Sequence, residues 1–361
     1  MIKYYTRACN FYYGSTSRYL VKKKLALPLC GNKNISFDKL EIFTRDKKKI
    51  FSKIINISNI DNQNINLKKK IKKDIKKITL NRKFFNKIHI MGILNMTPDS
   101  FSDGGKYNRP KKAFKKIHSM IKSGAEIIDI GGESTRPKSK TVPTHQEWKR
   151  IENVVKNFKK KYPNIMMSID TRKSEIMSKS IHYNADIIND VSSFDFDPKT
   201  ILKIEKFNVW KVLHHMQGTP QTMQISPKYQ NVLLDVYDFF EDKIYNQLKN
   251  TKYSKKIILD PGIGFGKNLK HNLILINNIS LFHSLGFPIL IGTSRKSFIN
   301  QISNKFDTIK RIGGSVASVI FSLSQGVQIF RVHDVNEIKQ GILVYKKLLD
   351  QWKKNILVQM A

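Results

Sequence analysis

The chain has 361 residues, 40% of them apolar and 37 of them Phe, Tyr or Trp, which is enough for a sizeable core and for one large domain plus an extension. With 65 Lys and Arg against 28 Asp and Glu, its formal charge is +37. Only Cys9 and Cys30 are cysteines, with no CxxC pair or metal-ligand spacing, so neither a disulfide framework nor a zinc site is expected.

No apolar run approaches the roughly 20 residues that span a bilayer, and no short apolar block precedes a cleavage-like site, so no membrane segment or secretory signal is expected. Residues 1–37 lack Asp and Glu and carry several Tyr, Ser, Arg and Lys. That faintly resembles an organellar transit peptide, but in so basic a chain the default reading is a cytoplasmic protein in a reducing compartment.

Two readings of the charge compete. Clustered lysines neutralise phosphates and suggest nucleic acid. The alternative is a compositional bias toward Lys, Ile and Asn, which is preferred because lysines run through the whole chain. Either way, a positive field attracts anionic substrates.

Residues 1–86 read as a basic N-terminal extension or small accessory α+β unit. They contain Lys22–Lys24, Lys47–Lys49 and the lysine-rich run 68–77. Short β-like runs at Ile35–Phe43 and Lys49–Ile57 flank a charged turn at Arg45-Asp46, and residues 66–83 read as a basic helix or solvated linker. No stacking aromatics interleave with the lysines of 68–77, so a solvated helix is preferred over a nucleic-acid site.

From Ile88 a regular alternation begins. Apolar, β-branched runs occur at 88–94, 127–130, 166–169, 187–188, 209–213, 257–259, 288–291 and 327–332. Helix-period stretches lie between them at 110–123, 146–161, 173–182, 232–249, 272–283 and 309–324. Buried strands followed by amphipathic helices imply a parallel sheet with right-handed crossovers. Eight such units over residues 87–355 predict a closed (β/α)8 TIM barrel, of class α/β. An open doubly wound sheet is disfavoured because no Gly-rich fingerprint follows the first strand.

The unusual polar residues fall just after these strands. They are Asn95 with Thr97-Pro98-Asp99, Glu133 to Arg136, Asp170, Asn189-Asp190, His214-His215, Asp260, Ser294 to Ser297, and Arg331 with His333. Any one of them can be a helix cap, and Gly131, Gly132, Gly262 and Gly264 can simply serve turns. Their repetition at every strand end is what points to a site, because in a barrel those ends share one face. Arg136, Lys296 and Arg331 supply permanent positive charge and His333 a switchable one, a set suited to a diphosphate or another polyanion. Asn95 offers one neutral oxygen to an Mg²⁺ held mainly by substrate phosphates. Asp170, Asn189 and Asp260 suit the donor–acceptor edge of a flat heterocycle. Ser297 opens a helix whose N-terminus favours a carboxylate.

The motif from Met91 to Gly105 resembles the first signature of the dihydropteroate synthase family, and Gly124 to Pro137 its second. Further matches are Ser168–Thr171, Ile188–Val191, His215–Pro220, Asp260–Lys267, Ser294–Ser297 and Arg331–Asp334, all in the family's order. The resemblance covers about Lys87 to Leu349. It implies that the chain joins 6-hydroxymethyl-7,8-dihydropterin diphosphate to p-aminobenzoate, giving 7,8-dihydropteroate and pyrophosphate.

By motif, the resemblance assigns the pterin ring to Asp170, Asn189, Asp260 and Lys296, with Met216 and Phe265 lining the slot. Asn95, Arg331 and His333 would hold the diphosphate and Mg²⁺, helped by Thr135 and Arg136. Phe101 and Pro137 would lie on loops covering p-aminobenzoate, with Ser297 receiving its carboxylate. The resemblance further implies a homodimer and a sulfonamide target. His214 and Phe330 depart from the family pattern and are expected to be packing sites. The rival within enzymes is a corrinoid-linked methyltransferase barrel, which has no use for the 97–105 loop, the 294–297 motif and the Arg331/His333 pair together.

Overall fold

The computed structural model describes residues 2–97, 109–134, 139–248, 255–304 and 307–359. From His89 onward it is the expected barrel. Eight parallel strands run β5 (His89–Asn95), β6 (Ile127–Gly131), β7 (Met166–Asp170), β8 (Ile187–Asp190), β9 (Trp210–His214), β10 (Ile257–Asp260), β11 (Leu290–Ile291) and β12 (Ile329–Val332). They pair in the order β10-β9-β8-β7-β6-β5-β12-β11. Closure comes from a parallel bridge between Leu259 and Ile289, where the Leu259 amide donates to Pro288 O over 2.9 Å. Both faces of these strands are covered, hence the near-continuous apolar runs in the sequence.

The helices after these strands are α3 (Arg109–Lys122), α4 (Thr144–Lys161), α5 (Ser174–His182), α6 (Thr200–Ile204), α7 (Val232–Asp242), α8 (Leu269–Asn277), α9 (Ser297–Ser303), α10 (Ile312–Leu323) and α11 (Val335–Gln359). Helix α7 continues in a wider π turn at Lys243–Gln247, and α8 is followed by a tight 3₁₀ segment at Ile279–Leu285. The alternation in the sequence leaves α6 and α11 unmarked, and α9 is the helix expected to open at Ser297. The strand expected over 288–291 is paired as a strand only at its last two residues. Among the described residues, no helix is long and apolar enough to cross a membrane.

The extension is α+β. Strands β1 (Ile2–Tyr13), β2 (Leu27–Leu29), β3 (Asn32–Asp46) and β4 (Lys49–Asn56) form an antiparallel sheet, with β1 along one side of β3 and β2 and β4 along the other. Helix α1 (Gly14–Lys22) follows β1, and α2 (Ile65–Ile78) is capped by Asn64, whose side chain accepts from the Leu67 amide over 2.9 Å. Of the two short strands expected here, β3 extends beyond Ile35–Phe43 at both ends and β4 stops one residue before Ile57, while β1, β2 and α1 lie outside the expectation. Ala8, Leu40 and Ile42 form a small core with Leu67, Ile71 and Ile78.

The sheet's other side docks on the barrel. Tyr5 packs edge-on against Tyr237 at 5.2 Å, and Arg45 bonds Asp235 at 2.5 Å and Asp238 at 2.8 Å. Phe85, in the turn before β5, plugs the bottom of the barrel. It is fully buried in a ring of Met91, Ile127, Ile187, Val212, Ile258, Leu290 and Ile329, one residue from each of seven strands.

Candidate active site

Strand register builds the top of the barrel. Asn95 pairs with Gly131, Gly131 with Asp170, and Asp170 with Asn189, so four adjacent strands bring these positions to one height. Asp260 stands beside His214 on the next pair of strands. Asp170, Asn189 and Asp260 are all buried, while Asn95, Met216, Lys296, Arg331 and His333 are partly open and Ser297 is exposed. Phe101, Thr135, Arg136 and Pro137 lie outside the described residues.

Arg331 crosses the barrel mouth. Its Nε donates to Asp129 Oδ2 over 2.6 Å and its Nη2 to Asp170 Oδ2 over 2.8 Å. Burial alone would lower its pKa, but these carboxylates outweigh that effect and hold the guanidinium above the usual arginine range. Burial pushes Asp170 up to about 7, reinforced by Asp129, Glu147 and Asp190 and opposed by Arg331. Asp190, in contrast, turns to its own loop, accepting from Ser192 and from the Phe194 amide. It is a turn residue, as the capping reading allowed.

Val191, Met223 and Phe265 form a small apolar wall of their own, with Met216 packed against it. Lys296 Nζ lies 4.0 Å from the Phe265 ring centre, and Asp260 Oδ1 accepts the Gly262 amide over 2.8 Å. Burial pushes Asp260 up to about 6, moderated by that amide and by Lys296 and Arg331. Gly262 is obligatory rather than a convenient turn residue. Its φ is +68°, and a Cβ there would fall 1.9 Å from His215 O.

Beneath this wall Lys267 is buried and donates to His215 Nδ1 over 2.9 Å, to His215 O over 3.2 Å and to Phe265 O over 2.9 Å. Burial, aided by Lys296, brings its ammonium down to about 7. His214 is buried, with Nδ1 3.2 Å from Val191 O and its ring edge-on to Phe265 at 4.5 Å. Together with the buried Phe330, it packs as expected.

The expectation of a switchable charge at His333 is revised. Burial and the nearby Arg331, Arg295, Lys116 and Lys296 push its imidazole down to about 3, so at pH 7 it is neutral. The ring lies 3.2 Å from Ser294 Oγ.

On the other side of the mouth, Glu133 accepts from Arg172 over 3.0 Å, from Lys173 over 2.7 Å and from the Val142 amide over 3.1 Å. This buried cluster fixes the flank of the segment after β6. Arg295 is held by Asp334.

No group of three or more His, Cys, Asp or Glu able to hold a metal occurs among the described residues. The donor set therefore fits Mg²⁺ only as Asn95 offers it, one neutral oxygen at a strand end, with the remaining ligands coming from phosphate and water.

Reading strand ends alone misses Asp129, Ser168 and Lys267. The signal for Asp129 was an acid flanked by isoleucines inside a buried strand.

A family profile described as pterin binding enzyme matches residues 91–333. Dihydropteroate synthase of Escherichia coli (strain K12) is 41% identical over 261 residues, covering 72% of this chain and 92% of the relative. A crystal structure of Yersinia pestis dihydropteroate synthase with a sulfonamide drug superimposes with a TM-score of 0.69 at 39% identity, over 73% of this chain and 95% of that one. The Xanthomonas albilineans dihydropteroate synthase with 4-aminobenzoic acid gives a TM-score of 0.68 at 31% identity, over 73% and 94%.

Proposed function

The chain belongs to the dihydropteroate synthase family of pterin-binding enzymes, and on that footing we propose how its residues divide the reaction. It is a transferase that condenses 6-hydroxymethyl-7,8-dihydropterin diphosphate with p-aminobenzoate, releasing pyrophosphate. The observation that carries the residue assignments is the convergence of polar groups at the C-terminal strand ends, with Asn95, Asp170 and Asn189 in register on β5, β7 and β8, Asp260 on β10, and Arg331 reaching Asp170 across the mouth.

Asp170, Asn189 and Asp260 bind the edge of the pterin, and the ring lies in the slot of Met216 and Phe265 beneath the Lys296 ammonium. Arg331 and the neutral His333 receive the diphosphate, with Asn95 turned to its Mg²⁺. Thr135 and Arg136 belong to the same anion site by motif. Mg²⁺, when bound, neutralises charge on the leaving diphosphate. As the C–O bond to diphosphate lengthens, the pterin ring delocalises positive charge at the methylene carbon, and the aniline nitrogen of p-aminobenzoate adds there. Preorganised cations aimed at the departing charge contribute on the order of several kcal/mol. Ser297, first residue of α9, receives the acceptor's carboxylate, and by motif Phe101 and Pro137 belong to the same acceptor site. Sulfonamides share the acceptor's shape and compete for its place.

Two assignments concern the whole molecule. Helices α8, α9 and α10 leave an apolar cavity of about 760 Å³ with Leu273, Ile302 and Phe321 exposed beside it, and a second copy of the chain covers it in a two-fold homodimer. Cys9 and Cys30 are both free thiols, in keeping with a cytoplasmic setting.

Calorimetry tests the site assignment: pterin diphosphate should bind in Mg²⁺ without p-aminobenzoate, and Lys296→Ala should abolish that binding while the far-UV spectrum stays unchanged. Undiminished binding by the variant overturns the assignment.

A further inference from the structure

We infer that Asp129 is a positioning residue that sets the hydrogen-bonding sense of the pterin slot, fixing the side chains of Asn189 and Arg331 from below. The inference rests on the slot assignment above and deepens it.

Asp129 is the third residue of β6, between Ile128 and Ile130, and is only 1% exposed. A lone acid in a buried apolar strand has to be compensated. Register pairs it with Ser168 on β7, one layer below the Gly131–Asp170 pair. Alternation puts residues two apart on the same face, so Gly131 stands directly above it and adds no side chain between Asp129 and the site.

Among the described residues, this carboxylate bonds one group of its own layer, Ser168, and two groups of the barrel mouth, Arg331 and Asn189. Oδ1 accepts from Ser168 Oγ over 2.6 Å. Oδ2 accepts from Arg331 Nε over 2.6 Å and from Asn189 Nδ2 over 3.1 Å. A carboxylate can only accept, so the atom that Asn189 turns toward it must be the amide nitrogen. Asn189 is thereby left with its carbonyl oxygen and its second amide hydrogen, in a fixed order, for the ring. With Asp170 and Asp260 also acceptors, the slot is set for a heterocycle edge rich in N–H donors. The same carboxylate, with Asp170, pins Nε and Nη2 of Arg331 and fixes the plane of the guanidinium before substrate arrives.

A purely structural ion pair would cost stability when removed and leave the pattern of substrate constants unchanged. A positioning role predicts a split. In Asp129→Asn the amide oxygen can still accept from Asn189 and Arg331, with its NH2 turned to the Ser168 hydroxyl, but the negative charge that pins the guanidinium is gone and the amide is free to flip, so Asn189 and Arg331 lose their fixed orientation. The kcat/KM for pterin diphosphate should fall about 100-fold, while the KM for p-aminobenzoate stays within about threefold. The acid limb of the pH profile should also move to lower pH. Asp170 is faced by Asp129 on β6, Arg331 on β12, Glu147 on α4 and Asp190 on β8, and the variant removes one of the three negative neighbours. Ser168→Ala keeps the charge and should cost no more than about fivefold, with no shift of the limb.

The deciding variant is the exchange Asp129→Asn with Asn189→Asp. It conserves volume, net charge and the donor–acceptor match between the two positions, and it keeps an acceptor oxygen toward the ring. It should recover at least tenfold of the loss in Asp129→Asn. Equal kcat/KM for wild type and Asp129→Asn would overturn the inference, as would an exchange that shows no recovery or fails to fold. Wild-type turnover in the same assay separates the two readings. Its absence would remove the functional assignment itself, whereas a silent Asp129→Asn beside an active wild type removes only this inference.

Discussion

Lys296 holds its ammonium 4.0 Å from the centre of the Phe265 ring, so the charge and the flat wall of the slot form one unit before any ligand arrives. A cation over an aromatic face contributes about 0.5–2 kcal/mol depending on desolvation. Phe265→Leu keeps an apolar wall and removes that attraction, which should weaken pterin diphosphate binding roughly 3- to 20-fold by calorimetry. An unchanged dissociation constant would show that the ring serves only to fill space.

Asp260 is held in a state that burdens the fold. Its carboxyl is pushed from 3.8 up to about 6, mainly by burial. Folding therefore favours the protonated form. That stabilisation is complete below pH 3.8 and is lost as pH rises through about 6. Asp260→Asn removes the ionisation and keeps an oxygen for the Gly262 amide. Relative to wild type, its stability should rise by about 1–2 kcal/mol between pH 5 and pH 8 in urea unfolding, while pterin affinity is lost. A stability difference that does not change with pH would contradict the burial of a charged Asp260.

His333 should behave as a neutral ring in the ligand-free protein. With its pKa pushed down to about 3, its imidazole resonances should stay constant from pH 5 to pH 8 in a proton–nitrogen NMR titration. Adding pyrophosphate with Mg²⁺ brings negative charge beside it, and its pKa should then rise by at least about one unit. A ring that titrates near 6.5 without ligand would show that the surrounding cations do not act on it.

Asn95 should matter only when diphosphate is present. Asn95→Ala should raise the Mg²⁺ concentration needed for half-maximal pyrophosphate binding by about tenfold. It should leave binding of the hydroxymethyl pterin lacking diphosphate untouched. Equal effects on both ligands would assign Asn95 to the ring instead of the metal.

The face formed by α8, α9 and α10 predicts association. Phe321, 47% exposed, stands on it, and Phe321→Glu should convert a dimer into a monomer in light scattering. A wild-type chain that is monomeric at micromolar concentration would remove the two-fold arrangement.

Much of this architecture was legible because a parallel barrel writes itself simply. Its strands are buried on both faces and so read as unbroken apolar runs, and the polar residue ending each run marks the catalytic face. That rule singles out Asp170, Asn189 and Asp260. It passes over Asp129, which lies two positions inside its strand, where only the cross-strand register with Ser168 discloses its partners. Phe85 escaped for a related reason. Nothing local distinguishes a barrel plug from a linker aromatic until seven distant strands surround it. Strand β1, with Tyr4, Tyr5, Phe11, Tyr12 and Tyr13, carries ordinary β-formers, but its lack of acids equally resembles a targeting segment until its pairing with β3 is seen. The neutrality of His333 depends on cations brought together from α3, β12 and the segment before α9, which no linear motif displays.

The most direct measurement is pyrophosphate release by the full-length chain from 6-hydroxymethyl-7,8-dihydropterin diphosphate in Mg²⁺, followed with and without p-aminobenzoate. The expected result is release that depends on the acceptor, with 7,8-dihydropteroate formed in equal amount. Release that proceeds at the same rate without p-aminobenzoate, or no release at saturating substrates, would contradict the assignment of this barrel as a dihydropteroate-forming transferase.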